Sequence, residues 1–176
     1  EKFAVDAQLT GWDVLPGKWE IVQGIDKTGD SKADEKISTG QIQFGRSESI
    51  ALKFPPRATT IITLKLVQEG LAYSKRPDLG ISKEDIQLEG SRLKVTIHNI
   101  GAVDAAPVKI TLVNSNGKVI AESLTPIIRA PLDLMPKTAE VIFNVASSSS
   151  LKGMNIKIDP DGKLEEITKM NNSITY

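Results

Sequence analysis

Apolar residues in this chain recur at every second position. Leu93, Val95 and Ile97 alternate with Arg92, Lys94 and Thr96, and Val108, Ile110 and Leu112 alternate with Lys109 and Thr111. Ile50, Leu52 and Phe54 form a further run, and Ile62, Leu64 and Leu66 another. A period of two sends successive side chains to opposite faces of an extended strand, so each run predicts a strand with one buried and one wet face. No long stretch carries the helical period of about 3.6 residues. The expectation is an all-β chain folded as two tandem β-sandwiches, the second immunoglobulin-like.

Turn signals separate the runs. Asn116–Gly117 lies between Val113 and Val119, and both residues tolerate positive φ, which predicts a hairpin there. Gly101 follows His98–Asn99–Ile100, and Pro136, Gly153 and Gly162 punctuate the remainder. Pro126, Pro131 and Pro136 make 125–136 an irregular connection, and Ser147–Ser150 reads as a polar loop. Gly70 and then Lys75–Arg76–Pro77 read as a short charged hinge, because proline holds its predecessor extended. The expected division is 1–75 and 76–176.

With 176 residues the chain fits two small domains, and 22 basic residues balance 22 acidic ones. No basic field is available to follow a nucleic-acid backbone. Cysteine is absent, which removes disulfides and thiolate metal sites. No apolar run approaches the roughly 20 residues of a membrane span. The chain opens on Glu1 without a signal-like segment, so it reads as a trimmed part of a longer protein.

From Pro77 onward the order of features is PDLGIS at 77–82, LKVTIHNIGAVDAAPVKITL at 93–112, VIAESL at 119–124 and LMPKTAEVIFNV at 134–145. The tail DPDGKLEEITKMNN closes it with Asp159, Asp161, Glu166, Asn171 and Asn172. This order resembles the CARDB domain, the bacterial "cell adhesion related" immunoglobulin-like module. It departs from the family at Lys169, where a second glutamate is frequent, and at Lys137, where glycine is common. The resemblance implies a sandwich of about seven strands in a secreted or surface protein. Within it, Asn99, Gly101 and the small residues Ala102, Ala105 and Ala106 allow a tight corner. The Asp-Pro-Asp-Gly turn sets Met154–Ile158 beside the next strand, and Asn171 and Asn172 cap open backbone groups.

Asp159, Asp161, Glu165 and Glu166 could hold a calcium ion, but calcium wants about six to eight oxygens. A solvated acidic turn with asparagine caps accounts for the same residues and is the expected role.

The first half holds both tryptophans, in Trp12-Asp-Val-Leu-Pro-Gly-Lys-Trp19. A turn at Leu15–Lys18 sets Val14 opposite Trp19 and Trp12 opposite Ile21, all on one face. That face predicts core positions for Trp12 and Trp19; a platform for stacking sugar rings is the alternative. Further on, Asp26, Thr28, Asp30 and Asp34 match the spacing of a calcium loop. Ser31 stands where that loop needs glycine, and Ile37 stands where it needs a bidentate glutamate. A polar turn is expected, although any metal site of the chain is expected in this loop. ALKFPPRATTIITLKL at 51–66 loosely resembles the closing strands of β-sandwich modules on bacterial polysaccharide-processing enzymes, and it brings no catalytic residue with it.

Chemistry has little material. His98 is the lone histidine and alternates with the buried set, so it should face solvent. No glycine-rich phosphate loop opens a helix. The expected role is a non-catalytic spacer and interaction pair of a secreted or surface bacterial protein, with a protein or polysaccharide partner at the cell surface. A carbohydrate-binding module, or the C-terminal part of a polysaccharide-processing enzyme, is the alternative.

Overall fold

A computed structural model describes residues 3–145 and 151–176. The polar loop expected at Ser147–Ser150 lies outside the described residues. The fold is all-β, with strands in several antiparallel sheets and, among the described residues, only single 3₁₀ turns at Tyr73–Lys75 and Lys83–Asp85. No helix among the described residues is long and apolar enough to cross a membrane. The chain divides into two compact units, Glu1–Ala72 and Tyr73–Tyr176.

In the first unit β1 (Val5–Thr10) pairs with β4 (Ser49–Phe54). A second sheet has β2 (Gly17–Asp26) at its centre, flanked by β3 (Glu35–Phe44) and β5 (Thr59–Glu69). Ile21 and Phe44 from one sheet meet Ile50 and Leu52 from the other, with Leu9, Trp19 and Leu64 packed around them. The alternation of β4 is thus the core pattern its sequence predicts. Gln23 is buried among these apolar groups, and its Nε2 donates to the Lys53 carbonyl at 2.6 Å. That bond joins the two sheets through a side chain and satisfies an amide that would be costly to bury alone.

The expected Trp12–Trp19 hairpin does not form. Residues 11–16 are irregular, and β2 instead places Trp19 opposite Ile42 of β3 and Leu66 of β5. A type II Pro-Gly turn splays flanking strands, whereas two long partner strands satisfy the whole of β2.

The second unit is an immunoglobulin-like sandwich. One sheet holds β6 (Leu79–Gly80) and β7 (Ile86–Glu89) along the same edge of β8 (Arg92–Asn99), with β11 (Lys137–Asn144) on the other edge. The second runs in the order β10 (Val119–Leu124), β9 (Lys109–Val113), β12 (Asn155–Ile158), β13 (Ser173–Thr175). Leu93, Val95, Ile97, Val141 and Phe143 face Ile110, Leu112, Ile156 and Ile158 across the core. Burying each such side chain favours folding by about 1.5–3 kcal/mol relative to leaving it in water.

The Asn116–Gly117 hairpin forms as expected. Gly117 takes φ +79°, and the Asn114 carboxamide oxygen accepts the Asn116 and Lys118 N–H groups. Residues 125–136 contain no strand, only the bridge between Ile128 and Ala105. Thr111 departs from its expected wet face and is buried, because β9 is an inner strand flanked by β10 and β12.

The corner after β8 is built on Asn99, which is fully buried. Its Oδ1 accepts the N–H groups of Asp78 and Gly101, and its Nδ2 lies 2.9–3.2 Å from the carbonyls of Val103, Ile128 and Arg129. Gly101 lies against the backbone of Pro77 and Asp78, where a Cβ would sit 2.2 Å from the Asp78 nitrogen. Glycine is the only residue that allows that approach.

Candidate functional site

The residues singled out by sequence fall into three places. The first is the connection between β2 and β3. Here Asp26 accepts the N–H groups of Thr28 and Gly29 on Oδ1 and that of Ser31 on Oδ2. Asp34 Oδ2 accepts the Lys27 and Thr28 N–H groups at 2.7 and 3.1 Å. The Thr28 hydroxyl lies 3.2 Å from both Asp30 Oδ1 and Asp34 Oδ2. One oxygen each from Asp26, Asp30 and Asp34 falls within 4.8 Å of the others. The loop therefore gathers the four oxygen-bearing residues expected of it.

Two features set this loop apart from a complete calcium site. Ile37 lies on β3 and offers no oxygen at the twelfth position. The loop's own amides also occupy the carboxylates: the Lys27 backbone N–H, followed by Thr28, holds Asp34 below the usual carboxylate range. Lys27 pairs with Glu35 at 2.6 Å, and Lys32 lies 3.5 Å from Asp30, so cations of the chain already neutralise part of the charge.

The second place is the connection 159–172 between β12 and β13. Met154–Ile158 lies beside the following strand, as expected, through pairing of Asn155–Lys157 with Ser173–Thr175. The acids are not uniformly solvated, which corrects the sequence reading. Asp159 is buried at φ +46° and accepts the N–H groups of Lys163 and Leu164. Glu166 is 3 % exposed; its Oε1 accepts the Leu79 N–H at 2.9 Å and its Oε2 accepts the Asn172 side-chain amide. Burial pushes the Glu166 carboxyl up to about 7 against these two hydrogen bonds. Asp161 turns outward to Lys109 and Lys163, and the Lys109 ammonium holds its carboxyl low. Asp159, Asp161 and Glu166 thus turn to different bonding groups, and among the described residues they are not gathered into a common ligand cage.

The same connection absorbs the segment read as a hinge. Arg76 is buried, with Nη1 donating to the Glu166 carbonyl and Nη2 paired with Glu165 at 2.8 Å. Its guanidinium also lies 5.3 Å from the Tyr73 ring centre, within cation–π range. Residues 76–78 are therefore part of the second sandwich. Local sequence gives no signal for this, since the partners lie about 90 positions away.

The third place is the tryptophan segment. Trp19 packs against the first unit's core and donates from Nε1 to the Leu15 carbonyl at 3.1 Å. Trp12 is 56 % exposed, and its carbonyl accepts Arg46 Nε. The pair is thus divided between a packed and an exposed ring. His98, expected to face solvent, is partly buried and lies 2.6 Å from Asp85. Burial pushes Asp85 up, but hydrogen bonds from His98 and Ser82 outweigh it and leave its carboxyl below the usual range.

No family model matches the chain, and no curated protein matches it. Among solved structures, the β-glucuronidase of Ruminococcus gnavus in complex with D-glucuronic acid aligns with 98% of this chain and 36% of its own, at 10% identity and a TM-score of 0.30. The same enzyme in complex with N1-substituted uronic isofagomine aligns with the same coverage at 10% identity and a TM-score of 0.31. The chain spans about a third of the length of these structures. Neither activity nor ligand transfers at that similarity.

Proposed function

We propose that this chain is a non-catalytic pair of β-sandwich units of a secreted or surface bacterial protein, with the CARDB-like second unit acting as a spacer. The observation that carries the reading is where the second sandwich receives and releases its chain. The segment before β6 enters at the pole formed by Asn99, Lys137 and Asp159: Leu79 pairs with Asn99, and Ile167 N–H bonds the Pro77 carbonyl. The last strand, β13, runs out at the opposite pole, where Tyr176 exchanges backbone bonds with Gly153 and Met154. A unit entered at one pole and left at the other separates what it joins by its own long axis. The proposed partner is a protein or polysaccharide at the cell surface.

A second reading, carbohydrate binding by the first unit, is favoured by the exposed Trp12 ring, since an exposed aromatic face is what a sugar ring stacks on. Incubation with a panel of polysaccharides, together with a glycan array of wild type and Trp12→Ala, tests both. The spacer reading expects no new reducing ends and no Trp12-dependent retention. New reducing ends would overturn it, and retention lost in Trp12→Ala would establish the second reading.

A further inference from the structure

The strand β1 is bonded on one side only. Lys53 of β4 turns its carbonyl and N–H to the Gln23 amide, at 2.6 and 3.5 Å, and so away from β1. Bonding direction alternates along an antiparallel pair, and Lys53 stands opposite Asp6. The N–H and carbonyl groups of Asp6, Gln8 and Thr10 therefore point away from β4, to a side where no strand among the described residues pairs with them. An open row of this kind is a template for another strand, and outer strands are commonly blunted by lysine, proline, a bulge or shortness. β3, β4, β5 and β11 carry Lys36, Lys53, Lys65 and Lys137, and Gln23 also covers the backbone of Lys53. β10 is bulged between Val119 and Ala121, and β6, β7 and β13 have two to four residues. Val5–Thr10 has no lysine, arginine or proline and keeps an unbroken register.

The geometry points to a second copy of this chain as the occupant, with the two β1 strands antiparallel about a two-fold axis at Gln8. Three pairs of outward-bonding residues then meet: Gln8 with its counterpart, Asp6 with Thr10, and Thr10 with Asp6. Each pair closes two N–H···O bonds. One row of the joined outer face reads Lys53, Asp6, Thr10, Ser49, and the central row reads Ala51, Gln8, Gln8, Ala51. Each carboxylate is thus set between an ammonium and a hydroxyl, and no like charges stand opposite each other. A two-fold at Ala7 completes only two such pairs within the strand, and one at Asp6 opposes two carboxylates. On the inner face Ala7 of one copy meets Leu9 of the other, small against large. The same register brings the Phe3 ring of one copy, 80 % exposed, to the end where the other's Trp12, 56 % exposed, is placed. An unrelated extended peptide would meet the same backbone row without this match of charge and size.

Sedimentation equilibrium of the full chain over a concentration series tests it. One short strand edge from each copy makes a small interface, so the weight-average mass should climb from 19.1 kDa toward twice that value as concentration passes about 0.1–1 mM. Gln8→Lys and Gln8→Glu each set like charges across the axis and should weaken association at least about tenfold, and an equimolar mixture of the two should restore it. Gln8 is exposed, so neither variant should shift the denaturant midpoint. If either does not fold, Gln8→Pro, which removes only an outward-pointing N–H, is expected to abolish association in the same measurement. A wild-type chain that stays monomeric at about 1 mM overturns the pairing, as does association unchanged in Gln8→Lys or a mixture that stays monomeric. Stronger association of Gln8→Lys alone would set residue 8 against Asp6 and overturn the axis at Gln8.

Discussion

The Glu166 carboxylate accepts the Leu79 N–H at 2.9 Å and so ties together residues 87 positions apart. β6 is only two residues long and offers little ladder of its own. The carboxylate supplies the acceptor that a longer neighbouring strand would otherwise provide. The burial of Arg76 and the fixed entry of the chain into its second unit converge on this contact.

Glu166 makes stability depend on pH. Its folded-state carboxyl lies near 7, above the ordinary value of 4.5, and burial is the main cause, with Asp159 adding to it and Lys169 opposing it. A raised carboxyl stabilises the fold fully below its unfolded value and loses that contribution as pH rises through its folded value. The second unit should therefore weaken between about pH 4.5 and 7, by at most about 3 kcal/mol. Denaturant titrations followed by second-unit NMR resonances should show the slope in wild type and a flat profile in Glu166→Gln. A slope retained in that variant would assign it elsewhere. The depressed Asp85 acts with the opposite sign, and its loss falls on the acid side of this window.

Asn99 and Gly101 should be intolerant of small changes. Asn99→Ala leaves the Asp78 and Gly101 N–H groups and three carbonyls without their buried partner. A loss on the order of 3 kcal/mol is expected in denaturant titration. Gly101→Ala drives a methyl into the Pro77–Asp78 backbone and should lose a comparable amount; an unchanged midpoint in either would contradict the corner described above.

The β2–β3 loop should be held by its own amides with or without an ion. Melting temperatures in millimolar calcium and in chelator are expected to agree, because Ile37 supplies no bidentate ligand. Asp26→Asn, which weakens the acceptor of three N–H groups, should lower stability by about 1 kcal/mol in both solutions. A calcium-dependent rise in wild type that disappears in Asp26→Asn would show the loop occupied.

The two tryptophans should separate spectroscopically. Trp12→Phe leaves Trp19, which should emit to the blue and resist acrylamide; Trp19→Phe leaves Trp12, which should emit to the red and quench readily. Trp12→Ala should change stability by no more than about 0.5 kcal/mol, and Trp19→Ala should cost about 3 kcal/mol.

Period-two alternation made β4, β5, β8 and β9 legible, because a half-buried strand writes its faces into adjacent positions. The Asn116–Gly117 hairpin and the Asn99–Gly101 corner were legible for a similar reason, since both depend on what particular residues allow locally. The burial of Glu166 and Arg76 was not legible. An acid or arginine in a polar stretch reads as solvated until the fold delivers a partner from a distant segment. The Trp12–Val14 stretch was misread because local turn chemistry suggested a hairpin, whereas β2 finds longer partners in β3 and β5. Gln23 gave no local sign of joining two sheets.

A distance across the second unit tests the spacer geometry most directly. The chain has no cysteine, so Lys75→Cys and Tyr176→Cys can carry nitroxide labels without competing sites. Double electron–electron resonance should give a single narrow distance of about 20 Å or more, the sum of the strand and entry-segment lengths between the poles. A distance of roughly 10 Å, or a broad distribution from a free hinge at Lys75–Pro77, would contradict a sandwich entered at one pole and left at the other.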